Sequence, residues 1–396
     1  MDVLMWEHFA PGGPIRVAGH HLAGRFVRAG ARVAWLAGPL SPLNLVRRND
    51  EIEARLRLWR RGGEWREDGR LFAYAPMTLL PHRPRLLFDT AVVARRTLRF
   101  TTPPWGAVLK RAGFGRFDLL FLEPGSPFTA LLRDLPHARS VFRMSDDTAA
   151  FPDAPRTHAR LEAEAVRRCD LVIAPARALA ARAAELGARR VLHLPNACEP
   201  EPFAAPDLAE PADLSPWPRP RAIYAGSIDW WFDADLVRAV ARRLPRWSFV
   251  LIGPARGRCG AALAGLPNVV LLGGRPYESL PSYFAHADAG CVPFVVDRMT
   301  DAIHPIKVYE YLAAGLPVVA TPMRETADMG APLRLAADPA GFAEALAAGL
   351  FDDGVARAAR RAFARAHTWD DRFEALSRAL DLRSVPAVRR AAGGTA

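Results

Sequence analysis

Two hydrophobic rhythms alternate along this chain. Short, nearly unbroken apolar runs sit at residues 3–9, 31–37, 118–122, 140–143, 171–174 and 191–194. Runs of that length between turn residues read as buried strands. Stretches with apolar positions at helical spacing separate them, at 15–29, 155–168 and 178–186, the first closed by Gly30. The second half repeats the rhythm, with strands expected at 222–225, 248–252, 269–272, 289–293, 317–320 and 333–336. Strands that alternate with helices imply an α/β fold of parallel sheets with right-handed βαβ crossovers. In such sheets ligands gather at the carboxyl ends of the strands, so polar residues just beyond a strand are the ones to inspect.

Two segments break the rhythm. Residues 38–115 read as irregular, basic and Pro-rich. Residues 200–220 hold seven prolines, a density that opposes both helix and sheet. The expected layout is a Rossmann-like domain at 1–200 with a basic irregular lobe at 45–116, then a Pro-rich linker at 201–220. A second Rossmann-like domain follows at 221–368, then a helix with a frayed tail at 369–396. A length of 396 residues suits two domains.

Composition narrows the class. Half of the residues are hydrophobic and 24% are charged, which is a globular balance. No run of about 18 uncharged apolar residues is present, against a membrane-spanning helix. The first ten residues carry Glu7 and His8 and lack a basic start with an apolar centre, which argues for a cytoplasmic protein. Cys169, Cys198, Cys259 and Cys291 have no C-x-x-C spacing, against a zinc site or a disulfide framework. Net charge is +11, and all basic residues but Lys110 and Lys307 are arginines, so a single arginine carries little weight. Between residues 45 and 116, 16 basic residues face 7 acidic ones, a net of +9, with Trp59, Trp65, Phe88 and Trp105 interleaved. A basic surface with apolar anchors suits an anionic membrane face or a phosphorylated acceptor, and an ordinary solvated arginine-rich face has the same signature. No nucleic-acid recognition motif accompanies the charge, so nucleic acid is not the expected partner.

The richest string for chemistry runs from His304 to Ala320: His-Pro-Ile-Lys-Val-Tyr-Glu-Tyr-Leu-Ala-Ala-Gly-Leu-Pro-Val-Val-Ala. Pro305 fits the first turn of a helix and Gly315 its end. Lys307 and Glu310 share one face. Free N–H groups at a helix start favour an anion, and a lysine there adds a point charge suited to phosphate. A carboxylate one turn later can accept both hydroxyls of a ribose, so together they describe a nucleotide site. By spacing alone the pair reads first as a surface ion pair on an amphipathic helix. Gly226-Ser227 follows a strand and lacks bulk, which lets a backbone N–H approach a phosphate. In the first half, Val141-Phe142-Arg143-Met144-Ser145-Asp146-Asp147 delivers two carboxylates just past a strand. Transfer to a hydroxyl needs a general base, and Asp146 fits; capping of the next turn is the other use of such a pair.

Lys-x-x-Glu-Tyr-Leu-Ala-x-Gly-x-Pro-Val-Val-Ala resembles the donor-site signature of GT-B glycosyltransferases, closest to the bacterial teichuronic-acid type. Pro195-Asn196, Tyr224 to Trp230, Ile252-Gly253-Pro254, Leu266 to Val269 and Gly273 to Tyr277 match in the same order. The Arg-x-Ser-Asp stretch is similar to that of the glucuronosyltransferases of xanthan assembly, where the Asp serves as base. The resemblance implies a GT-B fold, two facing Rossmann-like domains with the active site in the cleft between them. It implies that Gly226, Ser227, Arg275, Tyr277, Phe294, Ile306, Lys307 and Glu310 bind a nucleoside-diphosphate sugar. The catalytic residues are then Asp146 as base and Lys307 at the leaving diphosphate. The turn at Gly12 and Gly13, with His8, Arg16 and Glu123, is expected to bind the acceptor. The last helix, opening at Thr368-Trp369-Asp370, is expected to cross back onto the first domain. Two departures stand out: position 302 is Ala302 with Asp301 beside it, where many relatives carry a second glutamate, and Asn196 precedes Ala197 instead of a glycine.

The expected reaction moves a sugar from a nucleotide-sugar donor to a hydroxyl of a cell-surface glycan, lipid-linked or small-molecule acceptor. It would run at the cytoplasmic side, with the protein peripheral at the inner membrane face. No metal is expected: Asp233-Ala234-Asp235 has the D-x-D form but opens a helix, where capping explains it better. A nucleotide-sugar epimerase and a non-catalytic nucleotide-sugar-binding protein on the same scaffold are the alternatives, since fold alone does not decide.

Overall fold

The computed structural model describes the chain except for residues 47–48, 83–87, 126–127, 153, 258 and 383–396. The tail expected to fray from 384 onward lies outside the described residues, as do Ser126 and Pro127 of the turn after Glu123. Two compact units divide the chain, residues 1–194 with 373–396, and residues 195–372.

In the first unit eight strands form one sheet. From one edge to the other they run Val191–His193, Leu171–Ala174, His137–Arg143, Phe117–Leu122, Asp2–Glu7, Arg32–Ala37, Leu71–Tyr74 and Glu64–Arg66. All pair in parallel except the last, which runs antiparallel to Leu71–Tyr74. The inner strands are apolar on both faces, with Val3, Leu4, Leu119, Leu120 and Phe121 all at 0% exposure. That is the mark of a parallel sheet covered by helices on both sides. Beyond Arg372 the last helix, Trp369–Ala379, groups with this unit. Phe373 meets Phe26 edge to face, and Arg190 donates to the Ala379 carbonyl at 2.8 Å.

The second unit is a six-stranded, all-parallel sheet in the order Val269–Gly273, Ser248–Ile252, Arg221–Ala225, Ala289–Val292, Val318–Ala320 and Arg334–Leu335. Each expected strand of this unit is present, within one residue at either end.

Two expectations need correction. The stretch 38–115 is not irregular. It holds the helix Asp50–Arg60 and the strand Leu71–Tyr74, which extends the main sheet. Asn49 caps the helix by accepting the Ile52 N–H at 2.9 Å. Asp50, Glu51 and Glu53 fill its first turn and Arg57 and Arg60 its last, the order the helix dipole favours. The apolar face is thin, so arginines masked it: Ile52 and Leu56 pack with Leu40 and Met77, and Trp59 covers them. The proline-dense stretch is not a free linker either. It belongs to the second unit, where Pro200–Ala204 is a short helix and Leu214 is fully buried. Prolines forbid sheet pairing, but they leave side chains such as Leu214 and Asp213 available for anchoring.

If this lobe carries a true core, Leu56→Ala should cost about 3 kcal/mol of unfolding free energy in a denaturant titration. A loss under about 0.5 kcal/mol would return the segment to the status of a surface loop.

Candidate active site

In the second unit the site forms around the helix Ile306–Ala314. Pro305 precedes its first turn and Gly315 ends it in the left-handed region at φ 84°, so the chain passes directly into the strand Val318–Ala320. Lys307 Nζ lies 2.5 Å from Glu310 Oε2, and Tyr277 donates its hydroxyl to Glu310 Oε1 at 3.0 Å. The same ammonium stands 5.2 Å from the centre of the Tyr277 ring. Glu310 has 1% of its side chain exposed and Lys307 25%. The carboxylate is therefore the fixed anchor and the ammonium the group that reaches solvent. Ile306, half-buried, is the first residue of the helix.

The next residue ties this helix to the sheet. The Ala225 N–H donates to the Tyr311 hydroxyl at 2.8 Å, at the carboxyl end of the strand Arg221–Ala225. That strand delivers Gly226 and Ser227. Gly253, at φ 144°, crosses so close that a Cβ there would lie 1.9 Å from the Gly226 carbonyl oxygen. Asn196 Nδ2 donates to the His304 carbonyl at 2.7 Å and fixes the approach to the helix.

Three expected donor residues differ from their expected use. The Gly226 N–H donates to the Ile252 carbonyl at 2.8 Å, because the sheet pairing continues one residue past the strand. The donor left at this turn is Ser227, whose N–H and hydroxyl donate to nothing among the described residues. Phe294 is 8% exposed, with its ring against Tyr224, so it is a core aromatic. Arg275 is held by Asp213, at 3.0 Å through Nε and 2.5 Å through Nη2, and by the Tyr283 hydroxyl. Asp301 accepts the Arg324 N–H at 2.8 Å and so caps the helix Arg324–Asp328. Asp233 likewise caps the helix Ala234–Arg243 by accepting the Leu236 N–H.

In the first unit three neighbouring strands end level with one another, since Trp6 pairs with Leu122 and Leu122 with Phe142. One residue further on stand Glu7, Glu123 and Arg143, all buried. Arg143 Nη1 lies 3.0 and 3.2 Å from the two Glu123 oxygens. Asp146 follows, half-buried. Burial, with the charge of Glu123 adding and Arg143 opposing, pushes its carboxyl up to about 7. A carboxyl that titrates near neutrality has the basicity a general base needs. Asp147 is turned elsewhere: it pairs with Arg182, which also holds Glu162 at 2.8 Å.

His8 is exposed and its N–H donates to Glu7 Oε1 at 2.7 Å. Gly12 and Gly13 form the turn after it, closed by the Gly13 N–H on the Ala10 carbonyl. The Ala10 N–H donates to Glu51 at 2.8 Å, so the helix Asp50–Arg60 clamps this loop. Arg16 is half-buried just before the helix Ala18–Arg28. Sequence reasoning missed Glu7, Arg143 and Glu51 as members of the cluster. For the first two the signal was present: each is the polar residue at the carboxyl end of an apolar strand.

The family described as Glycosyl transferases group 1 matches residues 219–352, and the family described as Glucuronosyltransferase GumK, N-terminal domain, matches residues 5–175. The chain is 31% identical over 112 residues to TuaH of Bacillus subtilis (strain 168), whose name describes a teichuronic acid biosynthesis glycosyltransferase. That match covers 28% of this chain and 28% of TuaH. Among solved structures, sucrose-phosphate synthase from Thermosynechococcus elongatus superposes with a TM-score of 0.68 at 15% identity, over 97% of this chain and 99% of that one. Anabaena Alr3699/HepE, solved in complex with UDP and glucose, gives 0.62 at 14% identity, over 96% and 99%. The fold is GT-B.

The raised Asp146 carboxyl has a thermodynamic consequence. A group that binds its proton more tightly in the folded state adds stability at low pH, and that stability is lost as pH rises from about 4 through about 7. Asn carries no such proton. Asp146→Asn should therefore match the parent near pH 4 and exceed it by about 1–2 kcal/mol at pH 8, after allowance for partial exposure. Denaturant titrations at the two pH values check this; a variant less stable than the parent at pH 8 would mean that Asp146 is a paired carboxylate.

Proposed function

We propose that this chain, a GT-B glycosyltransferase by fold and by the families its two units match, moves a sugar from a nucleoside-diphosphate donor to a hydroxyl of a glycan or lipid-linked acceptor during cell-surface polysaccharide synthesis. The observation that carries the reading is the group formed by Lys307, Glu310 and Tyr277, a buried carboxylate with a partly exposed ammonium on the first turn of a helix. That group combines a fixed acceptor for ribose hydroxyls with a point charge for a diphosphate. Lys307 and the N–H groups of the first helical turn draw off negative charge as the bond from sugar to phosphate breaks. Ser227 adds a donor at the adjacent turn, and Tyr277 offers its ring face to the base. This reading assigns the leaving group to lysine and helix dipole and requires no metal. Asp146 takes the proton of the acceptor hydroxyl while the new bond forms, a single displacement that inverts the anomeric centre. His8, Gly12, Gly13, Arg16 and Glu123 border the acceptor side. The fold of the HepE complex makes UDP-sugars the first donors to test.

The epimerase and binding-module alternatives find no support in the comparisons. A lipid-linked acceptor fits the surface of the basic lobe, where Leu43, Leu45, Val46, Leu79, Val92 and Phe100 are exposed among arginines. Among the described residues no helix is long and apolar enough to cross a membrane. The exposed apolar side chains of the basic lobe are what supports a peripheral position at an anionic lipid surface.

Release of nucleoside diphosphate from a panel of nucleotide sugars and acceptors tests the reaction. Lys307→Ala should lower kcat by about 100-fold and weaken thermal stabilisation by UDP. Asp146→Asn should lower kcat by about 100-fold or more and leave the UDP effect intact. Full activity in both variants would refute the site. For the lipid surface, the protein should sediment with vesicles containing anionic lipid, lose that binding as salt rises, and ignore zwitterionic vesicles. Equal sedimentation with both vesicle types would remove the electrostatic reading.

A further inference from the structure

We propose that Glu7 serves as a permanently protonated positioning residue beside the Glu123–Arg143 pair that Asp146 faces, which reserves the Arg143 guanidinium for Glu123. The inference deepens the reading of Asp146 as base and rests on it.

The count of charges comes first. Among the described residues, Arg143 is the cation that acts on all three carboxyl groups, Glu7, Glu123 and Asp146. Arg143 gives Nη1 to both oxygens of Glu123, and the Ser145 hydroxyl hydrogen-bonds the same carboxylate. Glu123 is thus the member equipped to be ionised. Glu7 is equipped differently. Its Oε1 accepts the His8 N–H at 2.7 Å. Its Oε2 is buried and has no hydrogen-bond partner among the described residues. Gly19, in the first turn of the helix Ala18–Arg28, presses on that oxygen: a Cβ at position 19 would lie 2.4 Å from it. The charged groups that Glu7 feels are Glu123, just past the neighbouring strand Phe117–Leu122, and Arg143, at the end of the next strand over.

A full negative charge on a buried oxygen with no donor is costly, whereas a neutral acid there is cheap. Burial first, and then the charge of Glu123, push the Glu7 carboxyl well above the usual range, in the same direction as the geometry. The consequence reaches Asp146. An ionised Glu7 would compete for Arg143 and loosen the Glu123 pair. With Glu7 neutral, Asp146 faces one satisfied ion pair, and the His8 backbone that leads toward the glycine turn stays fixed by Oε1.

The test joins infrared spectroscopy of carboxyl groups with kinetics. At pH 8 the parent, labelled with ¹³C-glutamate, should show a protonated-carboxyl stretch that Glu7→Gln lacks. As the conservative replacement, Glu7→Gln should keep kcat within about threefold of the parent and the acid limb of the pH profile in place, because glutamine is neutral and keeps the Oε1 acceptor. Glu7→Leu, which loses that acceptor, should lower kcat by about tenfold or more with the KM for the donor unchanged. An identical stretch in the parent and Glu7→Gln, or a loss in Glu7→Gln as deep as in Glu7→Leu, would overturn the proposal. If the parent transfers no sugar from any donor, the glycosyltransferase reading falls, while the infrared comparison still decides whether Glu7 carries a proton.

Discussion

A parallel sheet brings the carboxyl end of every strand to the same edge, and both units of this protein are organised by that constraint. Strands buried on both faces must be apolar throughout, so the first position free to be polar is the one just beyond the strand. Neighbouring strands then set such positions side by side although they are far apart in sequence. Glu7, Glu123 and Arg143 meet because Trp6, Leu122 and Phe142 are in register. The second unit follows the same logic at Ala225, whose amide is taken by Tyr311 and whose successors form the tight turn at Gly226 and Ser227.

The two units treat buried acids in opposite ways, and the difference lies in donor supply. Glu310 receives the Tyr277 hydroxyl on one oxygen and the Lys307 ammonium on the other. Both oxygens are satisfied, so the group can stay a carboxylate while almost wholly excluded from water. At the strand ends of the first unit, among the described residues, Arg143 is the guanidinium set against Glu7, Glu123 and Asp146. Not all three can be ionised at low cost, and protons must take the place of the missing cations. The result is a carboxylate with both oxygens hydrogen-bonded in one unit and a carboxyl cluster short of cations in the other.

How much of this was legible in the sequence depended on the length scale of the cause. The strands of both sheets were readable because each is a local apolar run, and the turn of helix from Lys307 to Glu310 was readable because three residues of helix fix its geometry. The helix Asp50–Arg60 was hidden: it buries Ile52, Ala54, Leu56 and Leu58, but Arg55, Arg57 and Arg60 interleave with them and drowned that period. The use of Gly226 was hidden for another reason, since whether its amide is free depends on a hydrogen bond to Ile252 in a different strand. Asp213 is the plainest case. In sequence it sits in a run of prolines that suggests a tether, and only the fold shows it gripping Arg275.

The choice of cation at position 307 carries its own argument. This chain uses arginine almost everywhere a positive charge is wanted, with lysine only at 110 and 307. A guanidinium is a broad planar fork that prefers to engage a carboxylate with two parallel bonds. Glu310 has one oxygen already occupied by Tyr277, so a fork would have to displace that hydroxyl or pair through one arm. An ammonium needs only one bond to Glu310 Oε2, stands over the Tyr277 ring at 5.2 Å from its centre, and has two further N–H groups to offer. Those remaining donors form a compact charge that can follow a phosphate as its geometry changes, which a locked bidentate pair cannot do. The compositional bias of the chain makes the exception informative: where arginine is the default, a retained lysine marks a place where the shape of the charge matters as much as its sign.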